Sequence, residues 1–90
     1  MQNHETIKLR IKNVEGHLRG INRMIDEDAY CINVLQQIQA VQAALNKISG
    51  QILDEHLNTC VTTAIRGNDV QERERVLKEI SDIFSSKAKI

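Results

Sequence analysis

The chain has no proline and no tryptophan, and only one tyrosine and one phenylalanine. Glycine is scarce as well, with four residues at Gly16, Gly20, Gly50 and Gly67. An all-β chain needs frequent turn residues, and these are too few. With almost no aromatics the core falls to Leu, Ile, Val and Ala, which suits packed helices. No apolar run approaches the roughly 20 residues that a membrane span requires. The opening Met1-Gln2-Asn3-His4-Glu5 lacks the basic and apolar stretches of a signal peptide, so a cytoplasmic location without membrane contact is expected. Net charge is absent too, with 12 basic and 12 acidic residues, and the whole chain does not announce a polyanionic partner.

What is present is 90 residues with a 41% hydrophobic share. That length fits one domain, residues 1–90, and a chain so short has a marginal core unless another copy adds burial. Apolar residues recur at Ile7, Ile11, Val14, Leu18, Ile21 and Ile25, in alternating steps of four and three, which predicts an amphipathic helix over about 5–27. Gly16 and Gly20 inside it could admit a neighbouring helix. Asp28 is placed to cap a second helix over about 29–66, along which Cys31, Val34, Ile38, Val41, Leu45, Ile48, Ile52, His56 and Cys60 form one seam. Gly67 can end it, and Asn68 or Asp69 can cap a third helix over about 69–86. The fold class is thus all-α with three helices per chain. The long helix exceeds what so small a domain can surround, and its natural partner is a second copy of itself.

Charge is balanced in sum and uneven in place. Lys8, Arg10, Lys12, Arg19 and Arg23 face only Glu15 in the same stretch, before the acidic run Asp26-Glu27-Asp28. This is either a basic patch or the solvated face of a helix.

His56 and Cys60 are four apart and project from one helical face, where they can chelate one ion; they also fit a tolerated core histidine beside a small buried thiol. In a reducing compartment, Cys31 and Cys60 are more plausibly ligands, redox centres or free thiols than a structural disulfide. Cys31 lies on the same seam 25 residues earlier, roughly 37 Å along a continuous helix. It cannot join the His56 and Cys60 of its own chain. An antiparallel pair of long helices brings Cys31 of one chain opposite His56 and Cys60 of the other if the two-fold axis falls near position 44 to 45. Ala40, Ala43 and Ala44 sit there, and small side chains permit a close crossing. Two thiolates and one imidazole suit copper(I) best, since structural zinc nearly always takes four ligands. His4 and His17 are the remaining candidates for a fourth.

Tyr30-Cys31, Val34-Leu35-Gln36-Gln37-Ile38-Gln39-Ala40-Val41, Glu55-His56-Leu57-Asn58-Thr59-Cys60 and Gly16-His17-Leu18-Arg19-Gly20 together resemble the CsoR family of copper-sensing repressors, from about Lys8 to Phe84. The resemblance implies an antiparallel dimer forming a four-helix bundle and a disc-shaped homotetramer built as a dimer of dimers, without a helix-turn-helix. It also implies operator DNA bound in the metal-free form and released on binding copper(I). Carried over, Cys31, His56 and Cys60 match the copper(I) ligands, while Tyr30 and Glu79 match residues that support them. Arg10 and Lys47 match basic positions implicated in DNA binding, Lys47 losing the fork of the more usual Arg. Arg19 and Arg23 could extend the patch.

Sister branches separate at the same positions. Sensors resembling RcnR, for nickel and cobalt, put His in place of the second Cys. Those resembling FrmR, for formaldehyde, lack that Cys, and those resembling CstR, for persulfides, lack the His. His56 with Cys60 favours copper, with a persulfide or thiol-redox sensor, or a nickel or zinc sensor, as alternatives. An enzyme is not expected, because three helices offer no oxyanion site and no third group to orient a Cys-His pair.

Overall fold

In the computed structural model, residues 4–88 are described, and for residues 86–88 the backbone alone. Four α-helices run in order: α1 His4–Asp26, α2 Cys31–His56, α3 Thr62–Arg66 and α4 Val70–Ala88, with a π-helical turn, Leu57–Val61, between α2 and α3. No strand occurs among the described residues. The second expected helix is therefore an unbroken helical run from Cys31 to Arg66 whose winding widens at Leu57–Val61. None of the described helices is long and apolar enough to cross a membrane.

The junction between α1 and α2 corrects one expectation. Asp28 does not cap α2; it ends α1, in the left-handed region at φ 54°. The Asp28 N–H bonds the Ile25 carbonyl at 3.1 Å and the Ala29 N–H bonds the Met24 carbonyl at 2.9 Å, the paired bonds of a Schellman stop. Short polar side chains such as Asp tolerate that conformation better than others. α2 then starts at Cys31 rather than near residue 29, with the Tyr30 carbonyl accepting from the N–H groups of Asn33 and Val34 at 2.9 and 3.2 Å.

At the other end the expected cap is present. Asp69 Oδ1 accepts from the N–H groups of Gln71 and Glu72 at 3.0 and 3.2 Å and so satisfies two free donors of α4. Gly67 closes α3 in extended conformation, φ −75° and ψ 175°, and Arg73 Nη2 ties α4 back to its carbonyl at 2.8 Å.

The chain divides into two compact units, one up to Asp54 and one from Glu55 onward. In the first, Ile7, Val14 and Ile21 of α1 bury against Val41 and Ile48 of α2, with Val34 and Ala44 packed at the edge. Only half of each seam is used. Ile11, Leu18 and Ile25 on α1 stay 37%, 50% and 56% exposed, and Ile38, Leu45 and Ile52 on α2 stay 37%, 42% and 36% exposed. Both sets repeat every seven residues, as the buried sets do, so each helix carries a second apolar line that the described residues leave partly exposed. Among the described residues, Gly16, Gly20 and Gly50 meet no neighbouring helix: a Cβ at Gly16 would touch only Arg19 Nη2, and nothing lies within 4 Å at the other two. The second unit has a smaller core of Val61, Ala64 and Val76, with Ile80 against it.

Candidate metal centre

The residues around Cys60 do not favour a regular α-helix. Asn58-Thr59-Cys60-Val61-Thr62-Thr63 is a run of poor helix formers, three of them threonines whose hydroxyls compete for backbone carbonyls. Two do so here: Thr59 Oγ1 donates to the Glu55 carbonyl at 2.7 Å, and Thr62 Oγ1 donates to the Leu57 carbonyl at 2.5 Å. The widened turn that results lies immediately after His56 and contains Cys60. Such turns are rare and concentrate at functional sites.

Cys60 is exposed and in the free thiol state, and His56 is half-buried. Thr59 Oγ1 lies 3.7 Å from Cys60 Sγ. A hydroxyl has one proton, and the shorter contact to the Glu55 carbonyl takes it, so the sulfur keeps its lone pairs for another partner. Cys31, exposed and also free, opens α2. Tyr30 beside it is 69% exposed, its backbone engaged in starting the helix and its ring uncovered. Among the described residues no three His, Cys, Asp or Glu side chains gather within one chain. His17, a candidate fourth ligand, shares a 2.7 Å hydrogen bond between its Nε2 and Gln37 Oε1. His4 opens α1 and is exposed.

α4 adds a group that sequence reading did not single out. Arg75 pairs with both oxygens of Glu72 and, through Nη1, with Glu79 Oε1 at 2.6 Å. The bond from Arg75 holds the Glu72 carboxyl below its usual range. Arg75 is raised in turn by the bond to Glu72 and then by the negative charges of Glu72 and Glu79, with a smaller contribution from Cys60. Glu79, expected to support the ligands, is thus engaged by Arg75. The signal was available as Glu72-x2-Arg75-x3-Glu79, the i,i+3 and i,i+4 spacing of helical ion pairs.

Of the four basic residues expected on a DNA face, the structure brings two together. Arg10 and Lys47 line one groove of roughly 290 Å³ between α1 and α2, with Asn13, Val14, His17, Ala44 and Ile48. Arg19 and Arg23 are exposed elsewhere on α1, nine and thirteen residues from Arg10 and so on roughly the opposite side of the helix from it. Ala40 and Ala43 are exposed, as a close crossing requires, but Ala44 is half-buried against the core of its own chain.

Residues 3–86 match the family described as metal-sensitive transcriptional repressor. The copper-sensing transcriptional repressor CsoR of Bacillus subtilis (strain 168) is 39% identical over 80 residues, 89% of this chain and 76% of that protein. The crystal structure of the copper-sensing repressor CsoR with Cu(I) from Geobacillus thermodenitrificans NG80-2 superposes with a TM-score of 0.87 at 39% identity, covering 98% of this chain and 88% of that one. A nickel-responsive transcriptional regulator, InrS, follows with a TM-score of 0.77 at 36% identity, covering 89% and 90%.

Proposed function

The chain belongs to the metal-sensitive transcriptional repressors, and from that premise we propose that it is a copper(I)-responsive repressor, bound to operator DNA when metal-free and released by copper(I). The observation that carries the choice of metal is the donor set. Two free thiols and one imidazole, Cys31, Cys60 and His56, are all at least partly accessible, and soft sulfur with a single nitrogen fits copper(I). When bound, copper(I) supplies a soft, low-coordinate centre that ties donors of two chains together. The nickel-responsive relative makes nickel the competitor to be tested, and His56 beside Cys60 weighs against a purely thiol-based signal.

The residues divide the work. Cys31 comes from one subunit, and His56 and Cys60 from its partner, so the site exists only in the dimer. The π-helical turn lies between His56 and Cys60, Tyr30 adjoins Cys31 in sequence, and Glu79 on α4 is the other residue assigned to support the ligands. Arg10 and Lys47 present adjacent positive charges to DNA phosphates, and Arg19 and Arg23 extend that surface around the far side of α1. The uncovered apolar lines on α1 and α2 supply the faces of the dimer and the tetramer, so that residues 1–90 act as one domain once paired. DNA and copper(I) are coupled through the assembly, and the coupling is reciprocal: DNA must weaken copper(I) binding by the same factor that copper(I) weakens DNA binding.

The test is an operator-binding assay on the promoter region of the chain's own operon, run anaerobically with and without copper(I), alongside X-ray absorption of the loaded protein. The expected outcome is one copper per protomer with two sulfurs and one nitrogen, and loss of DNA affinity on loading. Equal DNA affinity in both states would sink the proposal, and a nickel response stronger than the copper response would redirect it.

A further inference from the structure

The groove that holds Arg10 and Lys47 contains a third group, one whose charge is not fixed. Arg10, Asn13, Val14 and His17 follow one another at helical spacing along α1, and Ala44, Lys47 and Ile48 do the same on α2, so one stripe of each helix lines the groove. His17 is half-buried there and its ring is held. A carbonyl oxygen only accepts, so the 2.7 Å contact between Nε2 and Gln37 Oε1 of α2 places a hydrogen on Nε2. In the neutral ring Nδ1 is then the nitrogen with a lone pair. A proton taken from solvent lands on Nδ1, makes the ring a cation and leaves the bond to Gln37 intact. The charged side chains lining the groove are Arg10 from α1 and Lys47 from α2, both positive, and among the described residues no acid lines it. The residues three or four positions from His17 on α1, and from Gln37 on α2, are all uncharged.

The charge of such a groove depends on what fills it. In the free protein two fixed cations oppose a third, whereas phosphate oxygens laid against them favour it. Histidine is the side chain whose charge changes between about pH 5 and pH 8. We propose that His17 is a proton-dependent DNA contact: its ring takes up a proton as the groove receives the phosphate backbone, so that DNA binding and protonation are linked. His17 lies seven residues from Arg10, about 10 Å along α1, and a strand laid over that distance presents about three phosphates. Each cation can then meet its own. The inference rests on this groove being the DNA face, as proposed above, and is independent of the metal centre. Its sign follows from linkage. The bound form holds more protons than the free form, so DNA affinity rises as pH falls, by about threefold to tenfold between about pH 8 and pH 6.

The experiment uses the full chain, metal-free, reduced and with a chelator present. Fluorescence anisotropy at fixed salt reads its affinity for two duplexes, the promoter region of its own operon and one of unrelated sequence, at about pH 6, 7 and 8. Wild type is compared with His17→Gln and His17→Arg, and circular dichroism confirms that both variants keep their helical content. His4 and His56 are present in all three proteins, so their titration cancels in the comparison. The expected result is that wild type gains about fivefold on either duplex from about pH 8 to pH 6, while His17→Gln stays at the weaker affinity throughout. His17→Arg, with a permanent charge, binds tightly at every pH. A flat wild-type profile would overturn the inference, and so would a pH dependence as large in His17→Gln as in wild type, the result expected if His17 did no more than tie α1 to α2. Equal affinity for the operator and the unrelated duplex would count against the repressor reading, while the pH profile on either duplex still decides the role of His17.

Discussion

At Cys60 two local features meet: a helical turn one residue wider than its neighbours and a threonine hydroxyl committed to a carbonyl. The sulfur itself was legible in the sequence, because His56 and Cys60 at four-residue spacing share a face whichever way the turn is wound. Arg75 was not. An arginine between two glutamates looks like any solvated helix surface, and its ion pairs with Glu72 and Glu79 stay exposed. Arg10 and Lys47 show the opposite case. They are 37 positions apart in sequence and were paired by resemblance alone, and the fold places them in one groove. Substituting Arg10 or Lys47 by Ala should each lower the slope of log affinity against log salt by about 1, measured on operator DNA, if each meets one phosphate. An unchanged slope would remove that residue from the interface.

Among the elements, the helices were readable from apolar period and the caps only in part. Asp69 behaves as its position suggests, and Asp69→Ala should cost about 1 kcal/mol in chemical denaturation. Asp28 has the same chemistry and the opposite job. Sequence pattern cannot tell the first residue of a helix from the stop of the preceding one when only a few residues separate them. The left-handed φ of 54° makes a sharp distinction: Asp28→Gly should raise stability by up to about 1 kcal/mol, since glycine adopts that conformation without strain. As a cap of α2, the same change would instead lose a few tenths of a kcal/mol. The π-helical turn escaped a reading based on period because a single extra residue shifts the face by less than the width of the apolar stripe. The threonine-rich run Asn58–Thr63 was its only trace.

For the whole molecule, the sequence signalled that a long helix needs a partner, and the structure has partly exposed apolar lines on α1 and α2 that such a partner would cover. The lines Ile11, Leu18, Ile25 and Ile38, Leu45, Ile52 are large apolar side chains on α1 and α2 that stay between a third and just over a half exposed. Leu45 lies at the predicted two-fold axis, where a charge would meet its own copy. Leu45→Glu should therefore convert the assembly to monomers in sedimentation velocity at micromolar concentration while α1 and α2 keep their shared core, to which Leu45 does not belong. An oligomer that survives this change would place the interface elsewhere. The claim on which everything else depends is that each metal centre is divided between two chains. It is tested by preparing Cys31→Ala and Cys60→Ala proteins, neither of which should bind copper(I) tightly, and then mixing them through reversible unfolding and titrating with copper(I). A shared site predicts that mixed dimers regain one intact centre, about one per four chains after random pairing. No recovery in a mixture shown to contain mixed dimers would contradict it.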